Sequence, residues 1–95
     1  MQNMFLNCVN IISLDLSSFD TSMVRDMTNM FNNCTSLFSL NISSFDVKSC
    51  SKFENIFEND VGLVLYINSD AYEKMKEAIP SYINISQEIN YIELK

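Results

Sequence analysis

The chain has no histidine, no tryptophan, a single glycine (Gly62) and a single proline (Pro80). Without histidine, no Cys-His or Ser-His pair can form within the chain, so the common forms of nucleophilic catalysis are excluded. The scarcity of glycine rules out a glycine-rich phosphate-binding loop. Because no convergent set of acid and base groups is evident either, we expect a protein that is not an enzyme and that binds no cofactor.

Basic residues are also few. Six Lys and Arg face twelve Asp and Glu, which gives a net charge of -6 over 95 residues. Such a chain lacks the positive surface that grips phosphates, and it has no polybasic segment to hold an anionic membrane. Its longest apolar run is far too short to span a bilayer. The sequence therefore predicts no nucleic-acid partner and no membrane insertion, and no secretory signal opens it.

An internal repeat organises the sequence. Residues 4–8 recur as residues 30–34, and residues 13–20 recur with the same shift as residues 39–46. A third, degraded copy begins at Ile56. Two asparagine columns run through all three copies, and they contain Asn3, Asn29 and Asn55, and Asn7, Asn33 and Asn59. This period lies within the ~20–29 residues of leucine-rich repeats, which places the units at about residues 4–29, 30–55 and 56–68.

Each repeat combines two apolar periodicities. The strand signature L-x-x-L-x-L is met by Ile11, Leu14 and Leu16, and again by Leu37, Leu40 and Ile42. The spacing of one helical face is met by Val24, Met27, Met30, Phe31 and Cys34, so each repeat should also contain a short helix or a helical turn. The predicted fold class is therefore α/β: a leucine-rich-repeat solenoid of 26-residue strand-turn-helix repeats, whose stacking buries one continuous core. A third strand at residues 63–67 is predicted one residue out of register.

Residues 69–95 are predicted to form a C-terminal cap. A capping helix is expected over residues 70–79, with capping-box spacing between Asp70 and Glu73. Short strands are predicted at residues 82–85 and 90–94. The first residues of the chain already occupy core positions of a repeat, so we expect further repeats upstream of them, or a second chain covering that end.

Two sets of reactive side chains are interpreted as structural. Cys8 and Cys34 occupy equivalent positions in neighbouring repeats, where parallel side chains favour two packed thiols over a disulfide. Cys50 replaces a valine of the previous repeat, and the absence of a C-x-x-C pair or histidine argues against a metal site. Asp20 and Asp46 follow the repeated phenylalanine, where a turn aspartate bonds to nearby backbone N–H groups.

Residues 30–46 match the string Met-Phe-x-x-Cys-x-x-Leu-x-Ser-Leu-x-Leu-Ser-Ser-Phe-Asp, with Ile42 for the second strand leucine. Residues 4–20 match it equally well. This pattern resembles the BspA-type leucine-rich repeat surface proteins, which form long tandem arrays, and the resemblance covers about residues 4–80. It implies a surface-exposed or secreted, adhesion-associated protein, and it carries over no catalytic residues.

The outward positions of the predicted strands are the remaining candidate for function. The candidate binding residues are Asp15, Ser17, Asn41, Ser43, Tyr66 and Asn68. This small polar strip with one aromatic side chain would suit a protein or glycan ligand. The alternatives are an intracellular leucine-rich-repeat scaffold for protein–protein interaction, which the missing signal and unpaired cysteines favour, and a cap that only stabilises a longer array.

Overall fold

The structure is a computed structural model that describes residues 1–86. It contains strands β1 (Ser13–Asp15), β2 (Ser39–Ile42), β3 (Val64–Ile67) and β4 (Asn84–Ser86), helix α1 (Ser69–Met75) and a 3₁₀ turn (Lys76–Ala78). In this part of the chain, no helix has the length and hydrophobicity needed to cross a bilayer. The strand predicted at residues 90–94 lies outside the described residues.

The four strands form one parallel sheet in the order β1-β2-β3-β4, so each strand pairs with the next one along the chain. Strands β1 and β2 pair residues 26 apart, as in Leu14 with Leu40. Strands β2 and β3 pair residues 25 apart, as in Leu40 with Leu65. The predicted one-residue shift of the third strand is therefore confirmed. Strand β4 pairs with β3, and it begins two residues later than the strand predicted at residues 82–85.

The helix predicted in each repeat is wrong. Residues 24–34 form a series of turns, and their backbone N–H groups bond partly to the neighbouring repeat. The N–H groups of Asn29, Phe31 and Asn33 donate to the carbonyls of Glu54, Ile56 and Glu58 at 2.7–3.0 Å. The same ladder of backbone hydrogen bonds joins the first two repeats: the N–H groups of Asn3, Phe5 and Asn7 donate to the carbonyls of Thr28, Met30 and Asn32. Alternate residues thus bond along the stack of repeats, where an α-helix would direct them to the residue four positions earlier.

The asparagine columns explain why these segments are not helical. All six asparagines have a positive φ, between 56° and 69°. An α-helix requires negative φ throughout, so a left-handed residue at every fourth position interrupts it. Asparagine tolerates this conformation better than other residues that carry a Cβ. One side-chain hydrogen bond runs along a column, where Asn33 Nδ2 donates to Asn7 Oδ1 at 2.9 Å. The asparagine columns therefore stabilise the fold mainly by adopting left-handed backbone conformations.

Replacing Asn55 by alanine should lower the free energy of unfolding by up to about 1–2 kcal/mol, the cost of a left-handed residue that lacks the short polar side chain by which asparagine offsets it. Asn55 is exposed with a φ of 56°, so the backbone dominates the effect. Asn55→Gly should stay close to wild type. Urea denaturation measures both, with Asn10→Ala as the control outside the left-handed region. Equal losses for the alanine and glycine variants would contradict the backbone explanation.

The core lies between the sheet and the turn segments. Its largest fully buried side chains include Met27, Met30, Phe31, Leu40, Ile56, Phe57 and Leu65. The rings of Phe5, Phe31 and Phe57 stack in a column, with centroids 5.6 and 5.7 Å apart and interplanar angles of 4°. Residues of the first repeat, such as Phe5 and Leu14, are only partly buried. Their equivalents in the second repeat are fully buried because repeats pack on both sides of them.

Helix α1 begins and ends earlier than predicted. Its N-cap is Asn68, whose Oδ1 accepts the Ala71 N–H at 2.8 Å, and Asp70 lies within the first turn. The capping box expected between Asp70 and Glu73 is therefore wrong, because the helix starts too early for it. The helix ends at Met75 and continues as the 3₁₀ turn. Ala71 and Met75 are its buried residues, and they join the core.

Candidate binding face

The outer face of the sheet carries two rows of side chains in register. One row is Asp15, Asn41, Tyr66 and Ser86, and the other is Ser13, Ser39, Val64 and Asn84. We call these two rows the strand face. The leucines between the rows are turned to the core, as alternation in a strand requires. Asp15 is exposed, and Asn41 and Tyr66 are half-buried. The structure thus brings three of the six predicted binding residues together.

Asp15 and Asn41 each hold a turn at the end of their strand. Asp15 Oδ1 accepts the Ser17 backbone N–H at 2.9 Å. Asn41 Oδ1 accepts the Ser43 N–H at 3.0 Å and the Ser43 hydroxyl at 2.6 Å. Hydrogen bonds from the Ser17 hydroxyl and N–H lower the pKa of Asp15 below its usual value, so this carboxylate is charged at neutral pH. The row therefore presents a negative charge at β1 and a phenol at β3.

The other three predicted residues differ in their availability. Ser17 is exposed two residues after the end of β1, where its N–H donates to Asp15. Ser43 is buried, with 7% of its surface exposed, so its predicted place on the outer face is wrong. Asn68 is engaged by the protein itself. Its Nδ2 donates to the carbonyls of Ser43 and Phe45 at 3.0 and 2.9 Å, and its Oδ1 caps helix α1.

Two apolar residues beside the strand face were not predicted. Ile12 and Phe38 directly precede β1 and β2, and they are 65% and 63% exposed. They are neighbours because the Phe38 N–H donates to the Ile12 carbonyl at 2.7 Å. The signal in the sequence was a large apolar residue at an x position of L-x-x-L. Adjacent exposed apolar side chains of this size are typical of contact surfaces.

A groove of about 610 Å³ lies between the turn of the second repeat and helix α1, with Asp46, Lys48, Asp70 and Lys74 among its lining residues. The Lys74 ammonium donates to the carbonyls of Val47 and Lys48 at 2.6 and 3.1 Å. This cation therefore fastens the helix to the repeat. It stabilises the fold and is not held ready for an anionic ligand.

The reactive side chains have structural roles. Burial raises the pKa of the Cys34 thiol to about 11 and also raises that of Cys50, so neither is an activated nucleophile. Cys34 and Cys50 are buried as predicted for core positions, whereas Cys8, which was also expected to be buried, is half-buried. Asp20 accepts the Ser22 N–H and hydroxyl, and Asp46 accepts the Lys48 N–H. The turn role predicted for these aspartates is confirmed. Within residues 1–86, no group of His, Cys, Asp or Glu is placed to hold a metal ion.

The fold and this face define a small α/β protein with a four-stranded parallel sheet whose outer side is polar. The chain belongs to the family described as Mycoplasma protein of unknown function, DUF285, whose model matches residues 1–91. No curated protein matches the chain, and no solved structure does either. The family description names no activity, so the geometry of the face has to carry any proposal about function.

Proposed function

We propose that the chain forms part of a leucine-rich-repeat-type solenoid, with residues 69–86 in its C-terminal cap. The nearly constant shift between paired strands, from Leu14 to Leu40 and on to Leu65, supports this proposal. So does the second ladder of backbone hydrogen bonds between the turn segments. The resemblance of the sequence to BspA-type repeats points the same way, although each repeat has turns where a helix was expected.

Tyr82 supports the role of the C-terminal segment as a cap. In the first two repeats, the N–H groups of Asn7 and Asn33 donate to a carbonyl of the following repeat. In the third repeat, the Asn59 N–H donates to the Tyr82 hydroxyl at 2.9 Å. The same hydroxyl donates to the Phe57 carbonyl at 3.3 Å. A side chain thus takes the place of the next repeat's carbonyl and ends the ladder.

The proposed function is non-catalytic binding of a protein or glycan ligand on the strand face. One observation carries it: the exposed pair Ile12 and Phe38 lies at the start of strands whose outer row contains Asp15, Asn41 and Tyr66. Apolar and aromatic groups beside polar ones are the usual make-up of a contact surface. Tyr66 can stack on a ligand ring or a sugar, and Asp15 and Asn41 supply polar contacts.

The binding proposal is tested with a panel of immobilised extracellular-matrix proteins and a glycan array, followed by measurement of Kd for any ligand found. Phe38→Ser should weaken binding by roughly 30-fold, the loss typical of a contact hot spot. Met23→Ser is the matched control, because Met23 is 82% exposed and belongs to none of the strands. Equal affinities of the two variants, or no ligand in either panel, would count against the strand face.

The proposed location is the cell surface, on the strength of the sequence resemblance. An intracellular scaffold is the second candidate, and the three unpaired thiols favour it, since free thiols are most common in reducing compartments. Protease treatment of intact producing cells separates the two. Release of the segment supports the surface location, whereas cleavage only after lysis supports the scaffold.

A further inference from the structure

One position of the repeat changes its chemistry along the stack. Cys8 and Cys34 are followed, at the equivalent position of the third repeat, by Asp60. Cys34 is 1% exposed and Asp60 is fully buried. A carboxyl group therefore stands in the core where the preceding repeat has a thiol. Carboxylates are rarely buried without a cation or a full set of hydrogen-bond donors.

The hydrogen bonds around this position satisfy only half of the carboxyl group. Asp60 Oδ1 accepts the Cys34 backbone N–H at 2.9 Å. The second oxygen, Oδ2, is buried and has no hydrogen-bond partner among residues 1–86. A buried carboxylate oxygen left in this state costs more than a neutral group, because it loses the strong hydration of an anion.

The thiol of the preceding repeat shows what this position donates to. Cys34 Sγ donates to the Phe5 carbonyl at 3.1 Å. The one-repeat shift that relates Cys34 to Asp60 also relates Phe5 to Phe31, whose rings stack in the same column. A donor at Asp60 would therefore meet the Phe31 carbonyl in the same way. A carboxylate offers no donor, whereas a carboxylic acid offers one donor and one acceptor.

We propose that Asp60 is held as the neutral carboxylic acid in the folded protein, with Oδ1 accepting from Cys34 and the Oδ2 hydroxyl donating to the Phe31 carbonyl. Burial raises the pKa of this group to about 7, and the Cys34 N–H lowers it by less. Among residues 1–86, the titratable groups near it include the Cys34 thiol and the Tyr82 hydroxyl, which accepts the N–H of the neighbouring Asn59. Neither is a cation that would hold a charged carboxylate.

The consequence is a protein whose free energy of unfolding falls as the pH rises. In the unfolded chain Asp60 loses its proton near the ordinary value of 3.8, and in the folded chain near 7. Between these values unfolding releases one proton, so the unfolding equilibrium constant rises by up to ~tenfold per pH unit. This stabilisation is fully present below the unfolded value and is lost as the pH rises through 7. Asp15, Asp20 and Asp26, whose pKa values are lowered, act in the opposite sense.

Titration of the whole chain by carbon-detected NMR tests the proposal directly. The side-chain carboxyl signal of Asp60 should titrate near pH 7, whereas that of Asp15, whose pKa is lowered by the Ser17 hydrogen bonds, should titrate below its ordinary value of 3.8. The Phe31 carbonyl signal should shift over the same pH range as Asp60. An Asp60 signal that titrates below pH 5 would overturn the protonated acid. A Phe31 carbonyl that ignores the Asp60 transition would overturn the hydrogen bond.

Asp60→Asn provides an independent measurement, because the amide supplies one acceptor and one donor without titrating. Urea denaturation of this variant and of wild type between pH 5 and 8 isolates the contribution of Asp60. From pH 5 to pH 8, the unfolding constant of wild type should rise by tenfold or more relative to that of Asp60→Asn. The variant should therefore gain stability relative to wild type as the pH rises. Asp20→Asn is the control: the Ser22 hydrogen bonds lower the pKa of Asp20, so this carboxylate is ionised throughout the range and the ratio of its variant's unfolding constant to that of wild type should stay nearly constant. A constant ratio for Asp60→Asn as well would contradict the proposal.

Discussion

Replacing Phe31 by alanine should lower the free energy of unfolding by about 3–5 kcal/mol, the range for deleting a buried aromatic ring. Phe31 is fully buried, and it stacks on Phe5 on one side and Phe57 on the other. Both neighbouring rings and the backbone hydrogen bonds to the adjacent repeats would keep the cavity left by the alanine open. Relaxation of the core into the cavity can therefore recover little of the lost stability. Urea denaturation followed by far-ultraviolet circular dichroism measures it.

Phe38→Ala is the matched control, because it removes the same ring from a nearby position that is 63% exposed. Its effect should stay within about 0.5 kcal/mol, as for other surface substitutions. Phe5→Ala should fall between the two, because Phe5 is only partly buried at the open end of the column. If Phe31→Ala cost no more than Phe38→Ala, the phenylalanine column would not be part of the stabilising core.

The strands were predictable because they obey two simple rules. Leucines alternate with polar residues, and they recur at one fixed interval. Leu14 therefore falls opposite Leu40, and the missing residue before Leu65 appears directly as the shift of register. Burial was predictable in the turn segments too, since Met27, Met30, Phe31 and Cys34 are all buried. Hydrophobic spacing predicts that these side chains are buried whether the backbone is a helix or a series of turns.

The backbone between these buried residues was not predictable from hydrophobic spacing. Successive short turns repeat the spacing of a helical face, so the pattern fits both conformations. The sequence did contain a signal in the asparagines at positions 29 and 33. Asparagine is a poor helix former that accepts positive φ. A closely spaced pair of them, repeated in all three copies, favours left-handed residues over a helix.

The strand face was predictable only along the strands themselves. Alternation places Asp15, Asn41 and Tyr66 in one row, but it fails where a strand ends. Ser43 and Asn68 follow Ile42 and Ile67, the last residues of β2 and β3. There the chain turns, and both residues become part of the protein's own hydrogen-bonding network. Side-chain periods apply to regular elements and not to the turns after them.

Asn68→Ala should lower the free energy of unfolding by about 2–4 kcal/mol, from the sum of a lost helix cap and two lost hydrogen bonds. The cap of helix α1 is worth about 1 kcal/mol. The variant also removes the donor shared by the carbonyls of Ser43 and Phe45, at about 0.5–1.5 kcal/mol for each hydrogen bond. Asn68 therefore links the second repeat to the cap through three bonds from one side chain. Urea denaturation at pH 7 measures the loss.

Two further variants separate these contributions. Asn68→Asp keeps an oxygen for the Ala71 N–H but cannot donate to the two carbonyls, so its loss should come mainly from them. Ser69→Ala changes the exposed neighbour and should have little effect. If Asn68 is structural, the alanine variant that remains folded should bind any strand-face ligand with unchanged affinity. Weaker binding without loss of stability would instead restore Asn68 as a contact residue, as its position after Tyr66 and Ile67 first indicated.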